Sequence, residues 1–481
     1  MTDVIKLVAQ LRAFETGCAL RVASHQQVVI QPHALVICPL AMAGEDTSIH
    51  AVAIGNIDAE PQVRVVPDPR VRDDQYELVL WLGERIETYF QRCRTAGDFP
   101  QIWVSSGAAA GHLDVLADRL RFVRDNPPVQ RVGALLTYAT ERAPVTGQQA
   151  LMTMTGALST HYATGQQEGE DEHLGALLVW LDPPADGSTH RAIAIAEREV
   201  MGVKTDPEFD RDVLQPLVSR YHKSLEGGAS TAQIQIRVAA IENALTPIVA
   251  RIYDATQQGF AFLLGQFPPS GALADLSERE AYAFENFMLA RDNGLPLPYR
   301  DTPKAGTFKI AEREHAAQAV ESGAIYGDGV AQARARLSGD ILSGFVRDVT
   351  VTRVGRRNIH RFVVETTQTN LHMRQRDELA WLADPRLRCV IEGVDKQDTL
   401  TRVQFRISAG MRSIGPPPNG AELELAPPPP DWGRLGRERV KMASRLATLP
   451  WTHRRDTALP ADAAHEAVPP GDLLAAIEAL R

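Results

Sequence analysis

The stretch Thr401-Arg402-Val403-Gln404-Phe405-Arg406-Ile407 alternates polar with apolar residues, and it decides how the last third of the chain is read. Strand side chains point to opposite faces in turn, so Val403, Phe405 and Ile407 face a core while Arg402, Gln404 and Arg406 face water. Val349 and Val351 alternate with Thr350 and Thr352 in the same way. With Phe362 to Val364, Leu371 to Met373 and Leu387 to Ile391, five or six short strands are expected over 340–413. A small antiparallel β-barrel of OB-like or SH3-like size is the natural closure, because it removes exposed sheet edges.

Upstream of residue 340 the period is helical. Phe209, Val213, Leu217 and Tyr221 recur on one face, and Thr231 to Leu264 carries Ile234, Val238, Ile241, Leu245, Val249, Ile252 and Tyr253. Pro247 should kink this run or start a second helix, since it lacks an amide donor. Residues 205–339 therefore read as a helical, stalk-like domain. Residues 1–200 mix two periods and read as an α/β domain. The strand-length runs are Val28 to Ile30, Ala34 to Cys38, Ala51 to Ile54, Val63 to Val66 and Gln101 to Ser105. Helical patterns cover Leu78 to Arg94, Leu113 to Arg124 and Gln148 to Tyr162. Downstream, prolines at 416–418 and 427–430 predict a stiff linker over 414–430. A basic helix from Trp432 to Leu449, a polar linker and a last apolar helix, Asp472 to Leu480, fill 431–481. The expected fold class is multi-domain α+β: an N-terminal α/β unit, a central helical block, the barrel and C-terminal helices.

A chain of 481 residues, 44% hydrophobic and 23% charged, is globular and exceeds one ordinary core. No apolar run approaches the ~20 residues that span a bilayer, and Met1 to Arg12 reads as an amphipathic helix rather than a signal peptide. A cytoplasmic protein without membrane contact is expected. Cys18, Cys38, Cys93 and Cys389 lie far apart with no CxxC pair, which points to buried free thiols rather than zinc or disulfides.

The net charge of −9 is unevenly spread: residues 1–339 carry −12, residues 340–455 carry +7 from 20 basic and 13 acidic side chains, and residues 456–481 carry −4. A polyanion footprint should lie in the middle segment. Arg353, Arg356, Arg357, Arg374, Arg376, Arg402 and Arg406 would sit on strand faces and loops, with Arg437 and Lys441 on the helix that follows. Such cations neutralise phosphates and release counterions. The alternative is that they pair with Asp348, Glu365, Asp377 and Glu378 as a mixed surface.

Complete catalytic motifs are absent. A P-loop needs GxxxxGK(S/T), and no Gly-Lys dipeptide occurs. Ser105-Ser106-Gly107-Ala108-Ala109-Ala110-Gly111-His112 is the nearest imitation, a strand-to-helix turn whose amides could hold an anion. Neither HExxH nor GxSxG occurs, and Pro67-Asp68 is followed by no acid-x-Lys triplet. The acidic run Glu168, Glu170, Asp171, Glu172, beside His173, reads as a solvated loop. No catalytic residue, metal ligand or cofactor is expected in this chain.

The segment Leu371-His372-Met373-Arg374-Gln375-Arg376-Asp377-Glu378-Leu379-Ala380, followed by Leu387 to Glu392 and Thr401 to Ile407, resembles the inserted β-barrel of superfamily 1 helicases of the Upf1-like type. There a phrase of the form L-x-x-G-D-x-V precedes two further strands; Arg376 stands here where the phrase has glycine. The order of helical stalk, barrel, basic helix and short helix is similar too. The resemblance covers roughly residues 330–481. It implies DNA or RNA as partner, and ATP with Mg only if a motor, with its P-loop soon after Arg481, follows in a longer parent or arrives as a separate subunit.

The leading expectation is a nucleic-acid-binding, non-catalytic accessory region of an ATP-dependent helicase-like protein or complex. The competing one is a protein-protein interaction scaffold in a bacterial defence or repair complex. A third is a hydrolase centred on Ser105 to His112, which would require a base beside Ser106.

Overall fold

The computed structural model describes residues 4–142, 147, 149–269, 271–294, 303–355, 357–397, 399–429 and 441. The chain divides into two units, Met1–Leu297 with His315–Pro430, and Pro298–Glu314 with Asp431–Arg481. The smaller unit is described only at 303–314, which is helical, and at 441. The larger one is mixed α+β.

Its N-terminal half opens with α1 (Val4–Thr16) and β1 (Leu20–Arg21), and is centred on a five-stranded sheet. Strands β2 (Leu35–Leu40), β3 (Ala51–Asn56) and β4 (Gln62–Val65) form an antiparallel meander. Helix α2 (Arg72–Ala96) then crosses over, so β5 (Ile102–Val104) joins β2 in parallel. Helices α3 (Gly107–Leu120) and α4 (Pro127–Thr140) lead to β6 (Leu151–Thr153), parallel to β5, giving the order β4-β3-β2-β5-β6. Leu82, Ile86, Phe90, Leu113 and Leu136 from these helices bury one sheet face around Ile37, Ile54 and Val104. At the α3–α4 crossing Gly133 packs directly on backbone: a Cβ there would stand 2.4 Å from the Arg121 amide nitrogen.

Beyond β6 come α5 (Met154–His161), β7 (Tyr162–Ala163, paired with β1), α6 (Leu174–Leu181), α7 (Thr189–Ala196), the short α8 (Pro207–Phe209), α9 (Gln215–Glu226) and α10 (Thr231–Ala261). Ile241, Leu245, Val249, Ile252 and Tyr253 of α10 share one buried core with Val36, Cys38, Ala51 and Ala53 of the sheet. The α10 stripe therefore covers the second sheet face; it does not stand out as a stalk. Pro247 lies inside this single helix and starts no second one. Helix α11 (Gly271–Asp292) returns to the first face, where Arg94 binds Glu285 at 3.0 Å and Arg291 binds Glu87 at 2.6 Å.

Two expectations fail here, one because side chains replace strand pairing and one because strand pairing interrupts a helix. Val28 to Ile30 form no strand: the Val29 and Gln31 amides donate to the side-chain oxygens of Gln149 and Gln101. The helix expected over Gln148 to Tyr162 is split, because Leu151–Thr153 pairs along β5 before α5 begins.

Helices α12 (Pro303–Gly327) and α13 (Gly329–Ser338) lead into the barrel. Asp328 caps α13 through the Val330 and Ala331 amides and also accepts the Ser24 and His25 amides, at 2.8 and 3.2 Å, so one carboxylate joins the N-terminal half to the helix that feeds the barrel. The six strands β8 (Leu342–Val354), β9 (Arg357–Thr366), β10 (Glu378–Trp381), β11 (Arg388–Lys396), β12 (Thr401–Ala409) and β13 (Glu422–Ala426) follow one another as β10-β11-β12-β9-β8-β13. The seam from β13 back to β10 is two residue pairs long. Val346, Phe362, Val364, Ile391, Val403, Phe405, Leu423 and Leu425 fill the interior, with Phe362 and Phe405 stacked at 5.2 Å.

The barrel differs from expectation at both ends. Leu371 to Met373 form no strand; Leu371 and Met373 pack on the core from a loop. The linker expected over 414–430 contains β13, whose Leu423 and Leu425 turn inward between the two proline clusters. Strand β8 is bulged between Arg347 and Thr350, where Asp348 has a φ of 52°. Past that bulge, Thr350–Val354 and Arg357–Arg361 pair only with each other, except that Arg361 also meets Arg406.

Candidate nucleic-acid interface

The register of the barrel decides what its arginines do. Arg361 and Arg406 stand directly opposite each other on β9 and β12, a like-charge pairing that is unfavourable unless an anion intervenes. Glu392 on β11 intervenes: its two oxygens take Arg361 Nε at 2.7 Å and Arg406 Nε at 3.1 Å. Arg402 is opposite Glu365, touching it at 3.4 Å and Asp348 at 2.8 Å, and Arg347 reaches Glu365 at 3.2 Å. The outer wall across β8, β9, β11 and β12 is thus a ladder of alternating charge. Its members are all partly exposed, so each pair contributes about 0–1 kcal/mol.

Of the nine cations expected to bind nucleic acid, Arg402 and Arg406 belong to this ladder. Arg353, Arg374 and Arg376 are exposed and enter no ion pair among the described residues. Asp377 accepts the backbone amide of Arg374 at 2.7 Å, which shapes the loop without masking the guanidinium. Arg376 has a φ of 79°, the left-handed region that glycine occupies freely, and its amide donates to the Ile391 carbonyl. Arg357 opens β9 opposite Val354. Lys441 is exposed. Arg356 and Arg437 lie outside the described residues. Sequence reasoning missed Glu392 and did not see that Arg361 and Arg406 share it; the only signal was a glutamate directly after the apolar run Cys389-Val390-Ile391.

The turn from β5 into α3 is organised differently from a ligand site. The Gly107 amide at the helix start donates to Glu172 at 2.9 Å, and the Thr155 hydroxyl reaches the same oxygen at 3.4 Å. The chain's own carboxylate takes the position an anion would occupy, with the favourable helix-terminus electrostatics that implies. Ser106 and His112 are both buried, and His112 Nε2 has no hydrogen-bond partner among the described residues, so it is not bonded to Ser106. Burial, then the nearby Lys204, pulls His112 below the ordinary histidine range, against the opposing pull of Asp46.

The acidic run is solvated at Glu168, Glu170 and Glu172, which are exposed, but not at Asp171. Asp171 is buried and accepts the Thr164 hydroxyl at 2.6 Å; burial pushes its carboxyl up to about 6. His173 caps α6 by accepting the Ala176 amide. Elsewhere burial lifts the Cys38 thiol to about 12 and Cys93 to about 11, and all four cysteines are free. Among the described residues no three His, Cys, Asp or Glu side chains converge as a metal site, and no helix is long and apolar enough to cross a membrane.

Comparison with family models, with curated proteins and with solved structures returns no match for this chain.

Proposed function

We propose that the chain is a nucleic-acid-binding, non-catalytic accessory region of an ATP-dependent helicase-like protein or complex. The observation that carries this reading is the set of exposed cations on the barrel, Arg353 on the β8–β9 hairpin and Arg374 and Arg376 in the loop before β10, in a segment of +7 on an otherwise acidic chain. The left-handed backbone at Arg376 also supports it, because the barrels that the segment resembles carry glycine at that place. A motor subunit, with ATP and Mg, would be the partner. Fluorescence anisotropy with labelled single- and double-stranded oligonucleotides at 50 and 200 mM salt tests the reading. A binder making several phosphate contacts weakens steeply with salt. No binding at 50 mM, or affinity indifferent to salt, sinks the proposal.

A second reading, the interaction scaffold, is favoured by α1, whose Val4, Leu7, Leu11 and Phe14 are exposed at helical spacing. A partner that co-purifies after nuclease treatment, and is lost on Leu7→Ser with Leu11→Ser, is its test; retention of that partner by the double variant removes α1 as the contact.

A further inference from the structure

The hairpin past the β8 bulge is more than a barrel corner. Four residue pairs, Val351 with His360, Thr352 with Ile359, Arg353 with Asn358 and Val354 with Arg357, have neighbours only across the hairpin, since β12 leaves β9 at Arg361 and β13 leaves β8 at Phe345. Strand β12 itself runs on to Ala409 against β11, and at ~3.3 Å per residue the four pairs make a ribbon about 13 Å long beyond the last β9–β12 pair. Its surface is bare for a globular fold: residues 350–354 are all exposed, Val351 to 55% and Val354 to 57%. Residues 349–361, Val-Thr-Val-Thr-Arg-Val-Gly-Arg-Arg-Asn-Ile-His-Arg, contain four arginines and no acid; Arg361, at the root, is bound by Glu392, whereas Arg353 enters no ion pair among the described residues. The wall below sets three carboxylates against four arginines, while the projection carries no acid.

We infer that this ribbon enters the major groove of duplex DNA, with Arg353 and Asn358 presented together to base edges. The inference rests on the proposed nucleic-acid function and narrows its substrate. A B-form major groove is ~12 Å wide and ~8.5 Å deep and admits a two-stranded ribbon, so a ribbon about 13 Å long is sufficient. Arg353 and Asn358 are direct cross-strand partners and share one face. Arginine is suited to guanine and asparagine to adenine at the major-groove edge. The A-form groove of duplex RNA is too narrow for such an element, which makes DNA the duplex of choice. Val351 on the same face suits a thymine methyl.

The test compares the full chain with Arg353→Ala and with Arg353→Ala/Asn358→Ala, both on exposed strand positions, against a 20-base-pair DNA duplex, the RNA duplex of the same sequence, and single-stranded DNA. Expected are a loss of at least tenfold on duplex DNA for either variant, single-strand affinity within twofold of the parent, weak binding of duplex RNA, and displacement by the major-groove ligand methyl green but not by distamycin. Equal binding of both duplexes, or variants that leave duplex DNA affinity unchanged while the parent still binds in a salt-dependent way, overturns the groove assignment and leaves the broader function standing. A parent that binds no nucleic acid at 50 mM salt removes both. Unaltered DNA binding with loss of self-association or of a co-purifying protein on Arg353→Ala/Asn358→Ala reassigns the ribbon to strand pairing with a protein.

Discussion

Replacing Glu392 by glutamine tests the charge ladder directly. The carboxylate joins Arg361 and Arg406, so its neutralisation releases two guanidiniums on facing strands while keeping side-chain size and one acceptor oxygen. Two opposing consequences follow. The pairs are partly exposed, and losing them, together with the Arg361–Arg406 repulsion then unscreened, should lower stability by about 1–2 kcal/mol. The same change should raise nucleic-acid affinity. If one of the released cations takes up one more phosphate, the slope of log K against log salt steepens by about 0.9, which corresponds to about eightfold tighter binding at 0.1 M. Anisotropy titrations at four salt concentrations, beside urea denaturation of both proteins, measure the two effects separately. Affinity that falls or stays level with an unchanged slope, in a variant that remains folded, would refute the expectation that cations freed from the ladder take up phosphate.

Three further outcomes are expected. Arg376→Gly should stabilise the protein by about 1 kcal/mol in urea denaturation, because glycine adopts the left-handed backbone without the Cβ clash; a destabilised variant would show that the arginine side chain holds the loop. Gly133→Ala should destabilise by about 3 kcal/mol, since the new Cβ would meet the Arg121 backbone at the α3–α4 crossing, and a neutral result would mean that the crossing relaxes freely. Asp171 is favoured in its neutral form by burial, so its contribution is fully present below about pH 3.8 and is lost as pH rises through about 6. That gap is worth about 3 kcal/mol at most, so Asp171→Asn should gain stability over the parent at pH 8 and gain nothing at pH 4; equal differences at both pH values would exclude the buried carboxyl as the cause.

The parts of the fold that were legible are those where a local period reports the buried face. Alternation gave β8, β9 and β12, and helical spacing gave α2, α9 and α10. What escaped was set by partners distant in sequence. Strands β10 and β13 are 4 and 5 residues long, too short for a period to declare itself beside loops and prolines, and they exist because the ring needs closing. The α10 stripe was read correctly as a buried face, but sequence spacing could not say that its partner is a sheet some 200 residues earlier. At the candidate site the arginines were legible by type and the neutralising glutamate was not. Whether Arg406 meets water or Glu392 depends on register, a property of two strands rather than of one.

The pairing of β8 with β13 also has a mechanical side. Leu342 lies across from Leu425, so the chain enters and leaves the barrel at the same end of the same strand pair. Tension applied through these two ends would not shear the strands past one another with every hydrogen bond sharing the load; it would peel them apart one pair at a time, from Leu425 toward Glu422. Such a barrel yields to small pulling forces while resisting heat in the ordinary way. Single-molecule extension from flanking handles would see it open early and reclose readily, a clasp that gives under strain and leaves the sheet-and-helix half intact.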